Sequence, residues 1–232
     1  MGNSGLICYT KLSPNHSGQR THAIDRITPH CVVGQLSCET ICDCFPAGRN
    51  ASCNYGIGKD GRISLCVEEK NRSWCSSSNT NDQRAVTIEC ASDKSEPYAM
   101  TNAVYTSLVK LCVDICKRNG KKKLLWFGDK AKTLAYNPAA DEMVITVHRW
   151  FANKSCPGNW LYSRLGDLAA QVTAQLSGSN GTFGSAGFPA TPFQVRVIVS
   201  DLNIRKQPCM GNNTTGKYTG KNCWGPEKPI RL

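Results

Sequence analysis

Thr146-Val147-His148-Arg149-Trp150-Phe151-Ala152-Asn153-Lys154-Ser155-Cys156-Pro157-Gly158 is the stretch on which the reading of this chain turns. Side chains alternate along a strand, so the run entering it puts Val144, Thr146 and His148 on one face and Ile145 and Val147 on the other. His148 is then expected at a strand end. Pro157-Gly158 cannot continue a strand and forces a turn, so a short loop can bring the Cys156 thiol back beside the imidazole. Imidazole and thiolate together begin a zinc site, and Lys154 can turn its charge into the same cavity.

Two other segments repeat the pattern. Ile27-Thr28-Pro29-His30-Cys31-Val32-Val33-Gly34 reads as a strand, with Pro29 implying an edge or a strand start. Ala85-Val86-Thr87-Ile88-Glu89-Cys90 reads as another, with Val86 and Ile88 on one face and Thr87 and Glu89 on the other. Thr28/His30, Thr87/Glu89 and Thr146/His148 are thus three cases of a threonine followed, on the same face, by a potential ligand or base. If the three strands share a sheet, two imidazoles and a carboxylate converge on one end of it.

The remaining segments supply the scaffold. Leu6–Thr10 suggests a first short strand, followed by a polar loop from Ser13 to Arg20 that holds His16, with His22 just beyond. Ser37 caps an expected helix through Phe45. Asn54–Ile63 reads as a hairpin turning at Asp60-Gly61. Val104, Leu108, Leu111, Cys112 and Ile115 follow a helical period after a cap at Thr101 or Asn102, and Asn119-Gly120 stops that helix before a solvated Lys121-Lys122-Lys123 turn. Asn159 is expected to cap a last helix with Leu161, Leu165, Leu168, Val172 and Leu176 on one stripe. Strands interleaved with helices predict an α/β fold with a central mixed β-sheet flanked by helices. Residues 177–192 are rich in Ser, Gly, Ala and Pro, as a flexible linker is. Phe193–Arg205 alternates like a strand entering an all-β module, but the tail after it has no strand pattern.

Composition bounds the function. The 232 residues are 40% hydrophobic, enough for a packed core. A net charge of +11, from 28 Lys+Arg against 17 Asp+Glu, suits an anionic polymer: nucleic acid, an acidic membrane surface or a wall polysaccharide carrying phosphate and carboxylate. No RNA-binding signature, zinc-finger spacing or basic heptad helix points to nucleic acid. No run approaches the length of a membrane span, and Met1–Cys8 has no basic segment before an apolar run, so a cytoplasmic site of synthesis is expected. With no export signal, most of the 14 cysteines read as reduced, buried small hydrophobes. Cys38-x3-Cys42-x-Cys44 fits no common structural zinc spacing.

Two neutral imidazoles and one thiolate leave a zinc ion one open tetrahedral position, as a catalytic ion has. Glu89 is then free to take a proton from water and pass it to a leaving nitrogen, and Lys154 to stabilise the oxyanion of a tetrahedral intermediate. The reaction class is metal-assisted amide hydrolysis.

His30, the Asn54-Tyr55-Gly56-Ile57-Gly58-x-Asp60-Gly61 hairpin, Val86-Thr87-Ile88-Glu89 and His148-x5-Lys154-x-Cys156-Pro157-Gly158 together resemble the zinc N-acetylmuramoyl-L-alanine amidases of the peptidoglycan-recognition-protein fold, especially those of phage and prophage endolysins. The resemblance covers residues 1–176 and implies a catalytic domain that cleaves peptidoglycan between N-acetylmuramic acid and the first L-alanine of the stem, acting at the wall after release from the cell. It implies zinc ligation by His30, His148 and Cys156, with Glu89 as general base and Lys154 as charge stabiliser. Trp74 is expected to flank the substrate groove, with a core tryptophan as the alternative, and Tyr55 carries the same two readings. Some relatives carry a tyrosine where this chain has Cys53, which leaves more weight on Glu89. Residues 193–232 resemble the opening of a bacterial Src-homology-three-type wall-binding domain, shortened. A catalytically silent peptidoglycan binder and a peptidase with Cys156 as nucleophile are the alternatives; chelation separates the latter from a zinc enzyme.

Overall fold

A computed structural model describes residues 2–178, 201–205 and 214–219. Its contacts divide the chain into two compact units, Met1–Gly181 and Thr182–Leu232. The first runs β1 (Ile7–Thr10), β2 (His16–Gln19), β3 (Arg26–Cys31), α1 (Cys38–Asp43), β4 (Tyr55–Ile57), β5 (Ile63–Leu65), β6 (Asn71–Ser73), α2 (Asn79–Arg84), β7 (Ala85–Cys90), α3 (Asn102–Arg118), β8 (Lys123–Leu125), α4 (Lys130–Ala135), β9 (Glu142–Ile145), a 3-10 turn (His148–Trp150), α5 (Gly158–Tyr162) and α6 (Leu165–Leu176).

Seven strands form one sheet in the order β1-β5-β4-β7-β3-β9-β8. β4, β7, β3, β9 and β8 run parallel, while β5 pairs antiparallel with β4 and parallel with β1, so the sheet is mixed. Every residue of β3 is buried, as expected of a central strand covered on both faces. On α3 the residues Val104, Leu108, Leu111, Cys112 and Ile115 are all buried, and this helix packs against α6, whose Leu165, Leu168 and Val172 are buried as well. α1 lies close against β4: a Cβ at Gly56 would come within 2.7 Å of Ile41 Cγ2 and of Ser64 Oγ, so only glycine admits the helix there.

The α/β architecture agrees with the sequence reading, and four local expectations are corrected. Pro29 sits in a central strand, not at an edge: β3 pairs with β7 along its whole length, but its ladder with β9 ends at Ile27↔Ile145, so the missing N–H of Pro29 faces no rung. The expected loop Ser13–Arg20 contains β2, which pairs antiparallel with β6 outside the main sheet. Lys123 belongs to β8 and is not merely a turn residue. The last helix is split in two, and Pro157, not Asn159, stands at the start of α5. Thr101 and Ser37 do cap α3 and α1, accepting from Val104 N and Thr40 N.

In the second unit, β10 (Asp201–Arg205) pairs antiparallel with β11 (Thr214–Thr219). The linker expected over 177–192, apart from residues 177 and 178, and the rest of 193–232 lie outside the described residues. No helix among the described residues is long and apolar enough to cross a membrane.

Candidate active site

Register builds the site. β3 and β7 pair in parallel with Thr28 opposite Thr87 and His30 opposite Glu89. β3 and β9 pair with Arg26 opposite Val144 and Ile27 opposite Ile145, and the same offset carried one residue further sets Thr28 against Thr146. Thr28 Oγ1 and Thr146 Oγ1 meet at 2.7 Å, so the alignment outlasts the ladder. Beneath them the Asn81 side chain donates to Thr28 Oγ1 at 3.0 Å and accepts from Thr146 Oγ1 at 2.9 Å and from Arg26 Nη1 at 3.2 Å. Asn81 comes from α2, a short polar helix with no apolar period to signal it in the sequence.

His148 does not end a strand. β9 stops at Ile145 and His148 opens the 3-10 turn, because the chain must leave the sheet to bring Cys156 round. The loop closes through Arg149 N donating to Cys156 O at 3.1 Å and Gly158 N to Ser155 O at 2.9 Å. Gly158 has φ +82° and a Cβ there would lie 2.7 Å from Pro97 O, so this turn requires glycine.

The outcome is that one ligand atom from each of His30, His148 and Cys156 lies within 4.8 Å of the others. Cys156 Sγ is 3.3 Å from His30 Nδ1, and the two imidazole rings are 5.1 Å apart. The buried Nε2 of His30 and Oε2 of Glu89 have no hydrogen-bond partner. A second triple, His30, Cys75 and Glu89, shares the same imidazole, with Cys75 Sγ 3.8 Å from Glu89 Oε1. Ser77 Oγ reaches His148 Nε2 at 3.0 Å. Cys75 and Ser77 were not anticipated; their only sequence signal is adjacency to Trp74.

The electrostatics suit a cation. Burial, and then the neighbouring His148, hold the His30 imidazole well below its usual range, and burial with the Lys154 charge lowers His148, so both keep free lone pairs at neutral pH. A hydrogen bond with Cys31, burial and Glu89 raise the Cys156 thiol well above its ordinary value. Raised thiol and lowered imidazoles are the reverse of the thiolate–imidazolium pair that a cysteine nucleophile needs. Two imidazole nitrogens, a sulfur that a cation would deprotonate and an unpartnered buried nitrogen fit a metal ion. Burial pushes the Glu89 carboxyl up to about 7, against the Cys75 hydrogen bond and the Arg49 charge.

Lys154 is exposed on the loop between His148 and Cys156. Trp74 is half-buried, its Nε1 donating to Ser17 Oγ at 2.7 Å. Tyr55 corrects the expectation of a substrate contact: it is 0% exposed and its hydroxyl donates to Glu69 at 2.5 Å while accepting from Ser4 N at 2.9 Å. Period two turns it into the core, where Arg118 also pairs with Glu69.

A profile of the family Amidase_2, N-acetylmuramoyl-L-alanine amidase, matches residues 20–159. No curated protein matches the chain significantly. Among solved structures, PlyL is 14% identical and similar over 71% of this chain and 95% of its own, with a TM-score of 0.52, a likeness of fold. A mutant endolysin from Bacillus subtilis (13% identity, 71% and 97% coverage, TM-score 0.47) and the N-acetylmuramoyl-L-alanine amidase LysC from Clostridium intestinale URNW (16%, 72% and 97%, 0.43) resemble it more loosely. The profile spans more than half of the 232 residues and takes in His30, Glu89, His148, Lys154 and Cys156, so the chain belongs to the N-acetylmuramoyl-L-alanine amidase family.

Proposed function

We propose that this chain hydrolyses the amide between N-acetylmuramic acid and L-alanine in bacterial peptidoglycan, with a zinc ion held by His30, His148 and Cys156. The observation that carries the reading is the meeting of those three side chains beside Glu89 at one end of a sheet, within the segment that the family profile matches. Zinc bound there supplies Lewis acidity, polarising the scissile carbonyl and making water acidic enough to react near neutral pH. Glu89 accepts the proton of the attacking water and returns it to the departing alanine nitrogen; burial raises this carboxyl in the metal-free chain, and a bound cation would draw it back down. Arg49 and the Cys75 thiol act on the same carboxyl, favouring its charged form. Lys154 extends its ammonium toward the charge that develops on the carbonyl oxygen. Trp74 offers an aromatic edge for the glycan or peptide.

In this reading residues 1–176 carry catalysis, and 177–192 join them to a shortened wall-binding segment over 193–232. The place of action is the bacterial wall, as for phage and prophage endolysins. The test is release of new N-terminal alanine from purified walls. A chelator abolishes it and added zinc restores it; release that survives chelation but not thiol alkylation would move the chemistry to Cys156 alone.

A further inference from the structure

The active site engages few of the 14 cysteines, and two others meet away from it. Cys42, on the buried side of α1, and Cys66, the residue after β5, bring their sulfurs to 2.7 Å. A disulfide holds its sulfurs at about 2.05 Å, so a shift of roughly 0.7 Å separates this pair from a bond. The two residues belong to elements already fixed against each other. Ser64 Oγ donates to Cys38 O at 2.9 Å, and the close contact of Ile41 with Gly56 presses α1 onto the sheet. Both cysteines are covered, at 3% and 0% exposure, yet Cys42 also lines a surface cavity of about 170 Å³ bounded by Lys11, Pro14 and Phe45.

We propose that Cys42 and Cys66 form a redox pair that closes to a disulfide on meeting a small-molecule disulfide, and that the bond staples α1 to the sheet. The hydrogen bond with Cys66 and burial raise the Cys42 thiol, so the exchange starts from the thiolate available during refolding or at alkaline pH, which attacks one sulfur of the small disulfide and expels the other as a thiolate. The Cys66 thiolate then attacks the Cys42 sulfur of the mixed disulfide and expels the second. Two protons leave the protein, and its two electrons end on the two released thiols. The bond encloses β4 and the hairpin between residues 42 and 66, so it restrains the unfolded chain over that loop. Cys53, fully buried, also lies against Cys66 and is the competing partner.

The full chain is incubated with oxidised glutathione, both folded and during refolding from denaturant in a glutathione redox buffer. Free thiols are then alkylated and non-reduced peptides mapped by mass spectrometry. The expected result is a Cys42–Cys66 linked peptide and a thermal midpoint roughly 10 °C higher, reversed by a phosphine reductant. Cys42→Ala removes both effects, and the map of the parent stands whether or not that variant folds. Alkylation of both residues after both treatments, a Cys53–Cys66 link in their place, or a bond that leaves the midpoint unmoved overturns the proposal.

Discussion

Glu89→Gln separates what the carboxyl does for chemistry from what it does to stability. Burial raises the Glu89 carboxyl from an ordinary 4.5 to about 7, so the folded chain holds that proton more tightly than the unfolded one. That contribution to stability is complete below pH 4.5 and is lost as pH rises through about 7. At 1.36 kcal/mol per pH unit, that interval amounts to roughly 3 kcal/mol lost by neutral pH in the metal-free chain. His30 and His148, whose folded-state values are lowered, slope the other way, losing stability as pH falls through 6.5. Both proteins share that slope, so the difference between them isolates Glu89. Urea unfolding in a chelator at pH 5, 6, 7 and 8 is the assay. Glu89→Gln gains on the parent by about 2.5 kcal/mol between pH 5 and 8, while its zinc-loaded form keeps its metal and loses about 10²- to 10⁴-fold in wall hydrolysis. A stability difference that stays constant across that range refutes the buried, proton-holding carboxyl; undiminished hydrolysis refutes its role as base.

Tyr55→Phe takes a donor from the buried Glu69 carboxylate and costs about 1–3 kcal/mol in urea unfolding, with hydrolysis per folded molecule unchanged; a large rise in KM would return Tyr55 to substrate binding. Asn81→Ala strips partners from Thr28, Thr146 and Arg26 together and lowers stability by roughly 2 kcal/mol, or about 4–8 °C in thermal midpoint; a shift under one degree would make that network incidental. Lys154→Ala keeps zinc content and lowers kcat about 10²- to 10³-fold; an effect confined to KM would make Lys154 a binding residue only.

The site was legible because period two and strand register are simple rules. Threonine two residues before each of His30, Glu89 and His148 marks a shared face; the β3–β7 register sets His30 opposite Glu89, while His148 joins them from the turn after β9. The Asp60-Gly61 turn was equally plain, with Gly61 at φ +84° and Gly58 N donating to Arg62 O at 2.9 Å. What escaped has no local signal. β2 and β6 are short and polar, and they pair only because distant segments meet. Pro29 argued for an edge, since a sequence does not show that the β9 ladder stops before reaching it. The hydrogen bond of Tyr55 depends on Glu69, from another loop. Arg49, Cys75 and Ser77 reach the site from loops whose course is set by tertiary contacts.

The central claim is that two imidazoles and one thiolate share a single ion. X-ray absorption at the zinc edge of the zinc-loaded chain tests it most directly: the account predicts one sulfur and two imidazole nitrogens around the metal, with the sulfur lost in Cys156→Ser and one nitrogen lost in His30→Ala. A zinc environment without sulfur, or one unchanged by those substitutions, would contradict it.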